Sequence, residues 1–480
     1  MREAGILLPV FSLPGAGPVG TLGEGARKFL DFLAQAGQKW WQVLPLGPTG
    51  YGNSPYQSFS AFAGNPLLID WAELGFCPEE NGADRGRADY DRAAQWAKEG
   101  FFRFGRAFCR THGGEYTAFC EENAWWLEDY ALFVAVKNAH QGLSWYEWPE
   151  ELKRREESAL SIIREQEREE IERVKEEQFL FFFQWDKVKR YAGEKGVKLM
   201  GDLPFYVALD SADVWAHPEW FQLEEDGRPK AVAGVPPDPY AADGQVWGTP
   251  LFHWENMKKD GYAFWEKRVE TAEALFDKVR IDHFRGFDSY CAIPYGDETA
   301  ARGEWKRGPG MDFFRALGEE HRERLVAEDL GILTESAAAL LEETGIPGMK
   351  VLQFAFEGED SPYLPHNVGK HCVMYTGTHD NDTCLGWYRS AGEREKTYAR
   401  EYLRLHEGEW ENWGMMKAVW GSRAELAIVP LQDILSLGSE ARMNIPGTVG
   451  AANWSWRAWE EDLSEGLAQA VGQQMKVYWR

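Results

Sequence analysis

The sequence predicts an α/β fold, a parallel (β/α)8 barrel of the TIM type. Eight short apolar segments have the character of strands, and most of the gaps between them carry helical patterns. Acidic residues stand at the carboxyl ends of several of these segments, where the active sites of such barrels lie. The length of 480 residues fits one barrel enlarged by insertions, because such barrels can exceed about 400 residues.

The eight candidate strands are apolar runs bounded by turn residues. Helical spacing at Phe29, Leu30, Leu33 and Ala34 predicts a helix over residues 22–36, between the first two strands. A strand, a helix and a second strand therefore open the barrel. The predicted strands are residues 6–10, 42–46, 197–203, 279–282, 325–328, 349–354, 373–378 and 426–431.

Two insertions interrupt the alternation of strands and helices. The first, residues 51–196 after strand two, begins as a loop rich in Gly, Ser, Asn and Pro and is mostly helical over residues 73–178. The second, residues 204–277 after strand three, is predicted as a long loop. Roughly fifty residues follow strand eight, too few for a typical separate domain. We therefore expect one catalytic barrel domain over residues 1–480, without a C-terminal β-domain.

Composition narrows the classes of partner and the compartment. The net charge is −25, so nucleic acid and anionic membranes are excluded as partners, and an uncharged substrate fits better. The six cysteines form no CxxC pair and no metal-ligand spacing, which predicts free thiols in a reducing compartment. No apolar run approaches the roughly 20 residues of a membrane helix. We expect a soluble, cytoplasmic protein.

The stretch 278–287 carries unusual charge for a buried strand. Alternate side chains of a strand share a face, so Arg280 and Asp282 point the same way, and the guanidinium can keep the carboxylate ionised and oriented. A carboxylate nucleophile requires such an environment. A buried ion pair at a strand end also explains these two residues, and taken alone they favour it over catalysis, so the rest of the chain must decide.

Carboxylates recur at the ends of other predicted strands. Asp202 closes strand three, Glu328 closes strand five, and Asp380 follows strand seven. Together with Asp282 they would meet at the carboxyl-terminal rim, where barrel active sites lie. Alternation sends the neighbouring Asp329 to the opposite face, where it can serve a salt bridge or a cap. Four acids at equivalent positions are hard to explain as caps.

Such a cluster is typical of glycoside chemistry, in which one carboxylate attacks and another donates a proton. A separation of about 5 to 5.5 Å between the two would indicate retention through a covalent intermediate. Ligation of magnesium or calcium by oxygen atoms is the competing use of a carboxylate cluster. Arg280 and two neighbouring histidines argue against a metal, because nearby positive charge repels a cation. We expect no metal and no other cofactor.

Six motifs, in order along nearly the whole chain, resemble those of the amylomaltases. These are the 4-α-glucanotransferases, or disproportionating enzymes, of glycoside hydrolase family 77 in the α-amylase clan. The motifs are SPYQSFSAFAGNP from Ser54, GDLPFYVA from Gly201, RIDHFRG from Arg280, AEDLG from Ala327, PYLPHN from Pro362 and GTHDNDT from Gly377.

The resemblance implies a role for each matched residue. Asp282 would be the nucleophile, Glu328 the general acid and then base, and Asp380 the acid that stabilises the transition state. Residues 240–250 resemble the flexible lid of the family. The residues that would bind the sugar at subsite −1, cover the acceptor side or contact substrate from the late loop are Arg280, His283, His379, Asp202, Tyr56, Ser54, Trp247 and Asn453.

The implied substrates are α-1,4-glucans and maltooligosaccharides, bound by a monomer or a simple homo-oligomer. The three acids alone do not separate transfer from hydrolysis, because water and a sugar 4-hydroxyl can attack the same intermediate. A retaining α-glucan hydrolase of the α-amylase clan and a catalytically inactive glucan-binding barrel are the alternatives. The aromatic loops after strands two and three can exclude water, and the resemblance favours transfer.

Overall fold

The structure is a computed structural model that describes residues 2–76, 86–237, 243–331 and 333–480. Twelve strands lie in these residues, eight of them in one parallel sheet and four in a smaller antiparallel sheet. The strands are β1 Glu3–Leu7, β2 Trp40–Gln42, β3 Lys198–Leu203, β4 Ala231–Val235, β5 Gln245–Pro250, β6 Lys278–Ile281, β7 Ser289–Pro294, β8 Glu304–Arg307, β9 Leu325–Ala327, β10 Gly348–Val351, β11 Cys372–Tyr375 and β12 Leu426–Pro430.

The parallel sheet closes into a barrel. Its strand order is β10-β11-β12-β1-β2-β3-β6-β9, and the backbone N–H of Ala327 in β9 donates to the carbonyl of Pro347, just before β10, at 2.9 Å. Side chains that point inward, among them Met200, Met349, Tyr375 and Ile428, fill the interior and are buried. The predicted (β/α)8 barrel is thereby confirmed, with all eight strands in their predicted chain order.

The first two strands begin earlier than the sequence predicts. Pro9 has no N–H to donate to a ladder, and the chain turns into a short 3-10 helix at Val10–Ser12, so β1 ends at Leu7. Trp40 and Trp41 form most of β2, because large aromatic side chains fit a buried pleated surface as well as aliphatic ones do. A prediction that weighted aliphatic runs therefore placed both strands too late.

Helices surround the barrel and fill the first insertion. α1 Glu24–Gln35 matches the predicted helix and buries Phe29, Leu30 and Leu33. The remaining helices are α2 Tyr90–Gly100, α3 Arg106–Thr111, α4 Gly113–Ala139, α5 Glu150–Lys153, α6 Glu157–Gln166, α7 Arg168–Glu194, α8 Ala212–Ala216, α9 Trp254–Lys259, α10 Ala263–Leu275, α11 Met311–Leu317, α12 Glu319–Arg322, α13 Glu335–Thr344, α14 Cys384–Ser390, α15 Glu393–Leu403, α16 Glu411–Gly421, α17 Leu431–Ile434 and α18 Glu465–Tyr478.

The first insertion is built on α4 and α7, each 27 residues long, which pack against each other. Among the described residues of this range, the first α-helix begins at Tyr90, and helical structure continues beyond residue 178 to Glu194, because α7 buries a long apolar face that includes Phe181 and Trp185. Residues 77–85, within the predicted helical range 73–178, lie outside the described residues. The insertion therefore rests on the barrel through α7.

The stretch 204–277 is more structured than the predicted long loop. It contains α8, α9, α10 and the strands β4 and β5, which pair with β7 and β8 in the order β5-β4-β7-β8. Buried Val232, Cys291, Ile293 and Ala300 form a small core on this sheet. Of the predicted lid, residues 240–242 lie outside the described residues, and residues 245–250 form β5.

The chain after β12 contains α17, two short 3-10 helices and α18. α18 packs against α1 and α16 on the outside of the barrel. Among the helices of the described residues, none combines the length and apolar character needed to cross a membrane.

Candidate active site

The carboxyl ends of β3 and β6 bring two carboxylates to one arginine. Arg280 in β6 is the register partner of Asp202 in β3. Its Nη1 donates to both carboxylate oxygens of Asp202 at 2.8 Å, and its Nη2 lies 2.9 Å from Oδ1 of Asp282. The predicted shared face of Arg280 and Asp282 is confirmed. The Asp202 side chain is fully buried, whereas Asp282 is 30% exposed and accessible to a substrate.

The pKa of Arg280 lies well above its usual range. Burial works against the charged form, but the charges of Asp202 and Asp282 outweigh it. Arg280 is therefore a fixed cation that orients both carboxylates from below the rim. This geometry holds the exposed carboxylate of Asp282 in one direction, as a nucleophile requires.

Glu328 directly follows β9 and accepts two backbone hydrogen bonds. The N–H of His283 donates to its Oε2 and the N–H of Leu330 donates to its Oε1, each at 2.9 Å. Burial, helped by the neighbouring charge of Asp282 and opposed by Arg280, raises the pKa of Glu328 to about 7. A carboxyl group with this pKa can give and take a proton near neutral pH.

His283 holds a strained backbone next to the two acids. Its φ is 47°, in the left-handed region that side chains other than Gly rarely adopt, and this turn aims its N–H at Glu328. Burial lowers the pKa of His283 to about 4, so the ring is neutral. Its buried Nε2 has no hydrogen-bond partner among the described residues, which leaves it able to bind a sugar hydroxyl.

Asp380 is held by one partner on each oxygen. Nδ2 of Asn444 donates to its Oδ1 at 2.6 Å, and Nε2 of His379 lies 3.3 Å from its Oδ2. Burial alone would raise the pKa of Asp380, but the charge and hydrogen bond of His379 and the hydrogen bond of Asn444 hold it below its usual range. Asp380 is therefore an anion at neutral pH, whereas Glu328, with a pKa of about 7, is only partly ionised there.

Tyr56 and His379 form a pair of rings beside the acids. Their planes are 21° apart with centroids at 5.2 Å, and the hydroxyl of Tyr56 donates to Oδ2 of Asp202 at 2.8 Å. Oγ of Ser54 accepts a hydrogen bond from the N–H of Tyr56 at 3.3 Å and braces this turn. The structure thus brings Tyr56, His379, Asp202 and Arg280 into one connected network.

Trp247 lies on β5 and reaches the same site. Its ring meets the ring of His283 edge to face, with centroids 4.9 Å apart, and its carbonyl accepts from Nε2 of Gln57 at 3.4 Å. The strand therefore joins the antiparallel sheet to the loop that carries Tyr56. Trp247 is half-buried.

Asn453 and Asn444 differ from the sequence-based expectation. Oδ1 of Asn453 accepts from the N–H of Ile445, and its Nδ2 donates to the carbonyl and the hydroxyl of Thr448, so its amide braces its own loop. Asn444, which the sequence reasoning missed, instead contacts Asp380. Only the position of both residues in the late loop, close to the AANWSW segment, could have pointed to it.

Asp329 has the structural role that strand alternation predicts. Its Oδ1 accepts from the N–H of Met349 at 2.6 Å and its Oδ2 pairs with Nζ of Lys350 at 3.0 Å. The side chain is buried on the far side of Glu328 and links β9 to β10. Within the described parts of the chain, no group of three or more His, Cys, Asp or Glu side chains is arranged to hold a metal ion.

Comparison with known proteins identifies the family. The family model described as 4-alpha-glucanotransferase, glycoside hydrolase family 77, matches residues 8–461. The chain is 50% identical to a Thermus thermophilus 4-alpha-glucanotransferase, over 96% of each chain, and 45% identical to one from Synechocystis, over 100% of this chain and 98% of the relative.

A solved structure agrees with these sequence matches. The Streptococcus agalactiae amylomaltase, solved in complex with acarbose, superposes with a TM-score of 0.94 at 36% identity, over 100% of both chains. A Corynebacterium glutamicum amylomaltase at 18% identity shares the fold, with a TM-score of 0.77 over 98% of this chain and 75% of that one. The chain belongs to glycoside hydrolase family 77 and is a 4-α-glucanotransferase, an enzyme that acts on α-glucans.

Proposed function

We propose that Asp282, Glu328 and Asp380 divide a retaining transfer between them. The observation that carries the proposal is that the pKa values of two acids at the same rim are shifted in opposite directions. The pKa of Glu328 is raised to about 7, while that of Asp380 is lowered. When their surroundings shift the pKa values of two acids in opposite directions, the acid with the raised pKa can donate a proton and the acid with the lowered pKa can stabilise positive charge.

In the first step the carboxylate of Asp282 attacks the anomeric carbon of the donor glucan. The glycosidic bond breaks, and the leaving 4-oxygen takes the proton of Glu328. A β-glycosyl ester on Asp282 and a shortened glucan with a free 4-hydroxyl result.

In the second step Glu328, now a carboxylate, takes the proton of an acceptor 4-hydroxyl. The acceptor oxygen attacks the anomeric carbon and Asp282 leaves. Two inversions restore the α-linkage, and Glu328 regains its proton.

The surrounding residues hold the sugar at subsite −1. Asp380 and the neutral His283 hydrogen-bond sugar hydroxyls, and Tyr56 stacks on the ring. Arg280 and Asp202 fix the nucleophile and the Tyr56 hydroxyl from below, as their 2.8 to 2.9 Å contacts support. Ser54 supports the turn that carries Tyr56, and His379 supports Asp380 as well as the sugar. Asn453 acts here through the shape of its loop.

Transfer requires that a sugar hydroxyl outcompete water for the intermediate. Trp247 covers the acceptor side, a role that its ring contact with His283 supports. The family resemblance implies a lid over residues 240–250, and residues 245–250 of this range form β5. Closure over a bound acceptor excludes water and commits the intermediate to α-1,4-glucan and maltooligosaccharide acceptors.

The compartment and the oligomeric state of the enzyme are part of the proposal. The five cysteines in the described residues, Cys109, Cys120, Cys291, Cys372 and Cys384, are free thiols, which supports a reducing, cytoplasmic location. We infer that a monomer or a simple homo-oligomer carries out the reaction.

Trapping the intermediate tests the assignment of the three acids. An α-maltosyl fluoride needs no acid to leave, so Glu328→Gln should form the ester and then hold it, because its second step has no base. We expect the mass of one maltosyl group on the peptide that contains Asp282. Asp282→Asn should bind maltotriose but form no ester. A label on another carboxylate would contradict the nucleophile assignment.

A further inference from the structure

Trp454 packs against both rings of the pair formed by Tyr56 and His379. Its ring centroid is 5.9 Å from each of the two rings. The side chain is buried, with 5% of its surface exposed. Trp454 comes from the loop after β12, whereas Tyr56 comes from the loop after β2 and His379 from the loop after β11. One side chain therefore touches rings that two other loops supply.

The backbone of Trp454 is held in an unfavourable conformation. Its φ is 58°, in the left-handed region, which costs a bulky residue strain energy and persists only where the surroundings enforce it. The N–H of Trp454 donates to the carbonyl of Met443 at 2.8 Å, and its carbonyl accepts from the hydroxyl of Tyr90 in α2 at 2.7 Å. Contacts from the late loop and from the helical insertion thus fix the direction of the indole.

The two rings that Trp454 contacts each interact with an acid. Tyr56 donates to Asp202 at 2.8 Å, and His379 lies 3.3 Å from Asp380. If the indole were removed, both rings could move back into its volume. Each movement would lengthen a hydrogen bond on which the site depends. A packing residue far from the site would not have this effect.

We propose that Trp454 is a positioning residue that sets the planes of Tyr56 and His379 at subsite −1. The inference rests on the proposed roles of Tyr56 and His379. Its strained backbone aims the indole at the ring pair and so couples the helical insertion, through Tyr90, to the catalytic rim. Trp454 acts on turnover through these rings without touching the sugar.

The test compares Trp454→Leu and Trp454→Phe with Trp456→Phe. Trp456 is a buried tryptophan of the same loop, so it controls for lost packing. Misplacement by about 1 Å can cost about 100-fold in rate, and we expect that loss in kcat for Trp454→Leu, and less than about 10-fold for Trp454→Phe, with maltotriose. We expect Trp456→Phe to keep kcat within about 3-fold. Thermal unfolding of all three is measured in parallel.

A double-mutant cycle with Tyr56→Ala separates positioning from packing. If Trp454 acts through Tyr56, the loss caused by Trp454→Leu should shrink at least about 10-fold in the Tyr56→Ala background. Additive losses, or equal losses of kcat and thermal stability for the Trp454 and Trp456 variants, would overturn the inference and leave the proposed function intact. A wild-type rate for Tyr56→Ala would overturn both this inference and the proposed role of Tyr56 at subsite −1.

Discussion

Asp282, Glu328 and Asp380 are chemically similar, and their neighbours make them different. Asp282 faces the Arg280 guanidinium, Asp380 faces His379 and Asn444, and Glu328 accepts only two backbone N–H groups among the described contacts. His379 and Asn444 thus support the charged form of Asp380. At Glu328 burial favours the protonated form, which is what a proton donor needs.

The pH dependence should report Glu328. Its carboxyl must be protonated to protonate the leaving oxygen, and its pKa is raised by burial to about 7. The protonated fraction is complete well below pH 7 and falls above it, so kcat/KM for maltotriose should fall about tenfold per pH unit above pH 7 to 8. If kcat/KM stayed constant up to pH 9, the assignment of Glu328 as the general acid would be contradicted. The control is the rate of ester formation by Glu328→Gln with α-maltosyl fluoride, which needs no acid and should show no such limb.

Asn444→Leu should weaken catalysis through Asp380. The change removes the 2.6 Å hydrogen bond to Oδ1, and hydrogen bonds to charged groups contribute about 1.5 to 3 kcal/mol, so turnover should fall about 10- to 150-fold. The measurement is kcat for maltotriose. Asn453→Leu is the matched comparison: its bonds are all internal to the loop, so its effect should fall mainly on stability. An Asn453 variant slower than the Asn444 variant would reverse the two roles.

At the scale of the residue, the sequence predicts what alternation and strand ends determine. The shared face of Arg280 and Asp282 and the opposite direction of Asp329 both follow from a period of two residues. Asn444 does not follow from any period, because it reaches Asp380 from an irregular loop. Long-range loop packing of this kind has no local signature.

At the scale of the element, burial decides which strands a sequence reveals. The barrel strands are buried on both faces and form apolar runs, as β11 and β12 show. β8 is exposed along its whole length and carries Glu, Lys and Arg, so it resembles a loop. β5 contains Gly and Pro, which are depleted in strands. The antiparallel sheet was therefore missed, although it carries Trp247.

Trp247→Ala should shift the enzyme from transfer toward hydrolysis. Loss of the indole uncovers His283 and the rim, and water then competes better for the intermediate. We expect the number of new reducing ends per maltotriose consumed to rise at least about 5-fold. The rate of the first step should fall by a smaller factor. Trp305→Ala, an exposed tryptophan at the other edge of the same sheet, is the control and should behave as wild type. If Trp247→Ala left the number of new reducing ends per maltotriose consumed unchanged, the proposed role of Trp247 on the acceptor side would be contradicted.

At the scale of the whole molecule, the helical insertion is joined to the barrel loop by two glutamines of α7. The amide of Gln178 pairs with both the N–H and the carbonyl of Gly64 at 2.8 and 2.9 Å. Gln184 pairs in the same way with Asp70 at 2.7 and 2.9 Å. These side chains act like neighbouring strand backbone and satisfy buried groups of the loop that continues from Tyr56.

Gln178→Leu should destabilise the protein. It leaves the buried N–H and carbonyl of Gly64 unpaired, at a cost of about 2 to 4 kcal/mol in the free energy of unfolding. Denaturant unfolding measures this change. Gln166→Leu, on the exposed surface of α6, should stay within about 0.5 kcal/mol of wild type. Equal stability of the two variants would show that the amide pairing contributes nothing.

The barrel and the acids at its rim could be predicted from the sequence, whereas the contacts that connect loops and the insertion to the barrel could not. Eight apolar segments and the acids at their ends predicted the barrel and its rim. The pairing of Gln178 with Gly64 spans 114 residues, and the contact of Asn444 with Asp380 spans 64. Such contacts depend on how the loops and the insertion pack against the barrel. No periodic pattern in a single sequence predicts them.

Disproportionation of maltotriose tests the central claim most directly, which is that a sugar hydroxyl, and not water, resolves the intermediate on Asp282. Each transfer breaks one glycosidic bond and forms another, so the number of reducing ends is conserved. The account predicts glucose and longer maltooligosaccharides with a nearly constant number of reducing ends. A number that rises in step with the loss of maltotriose would contradict it and identify a hydrolase.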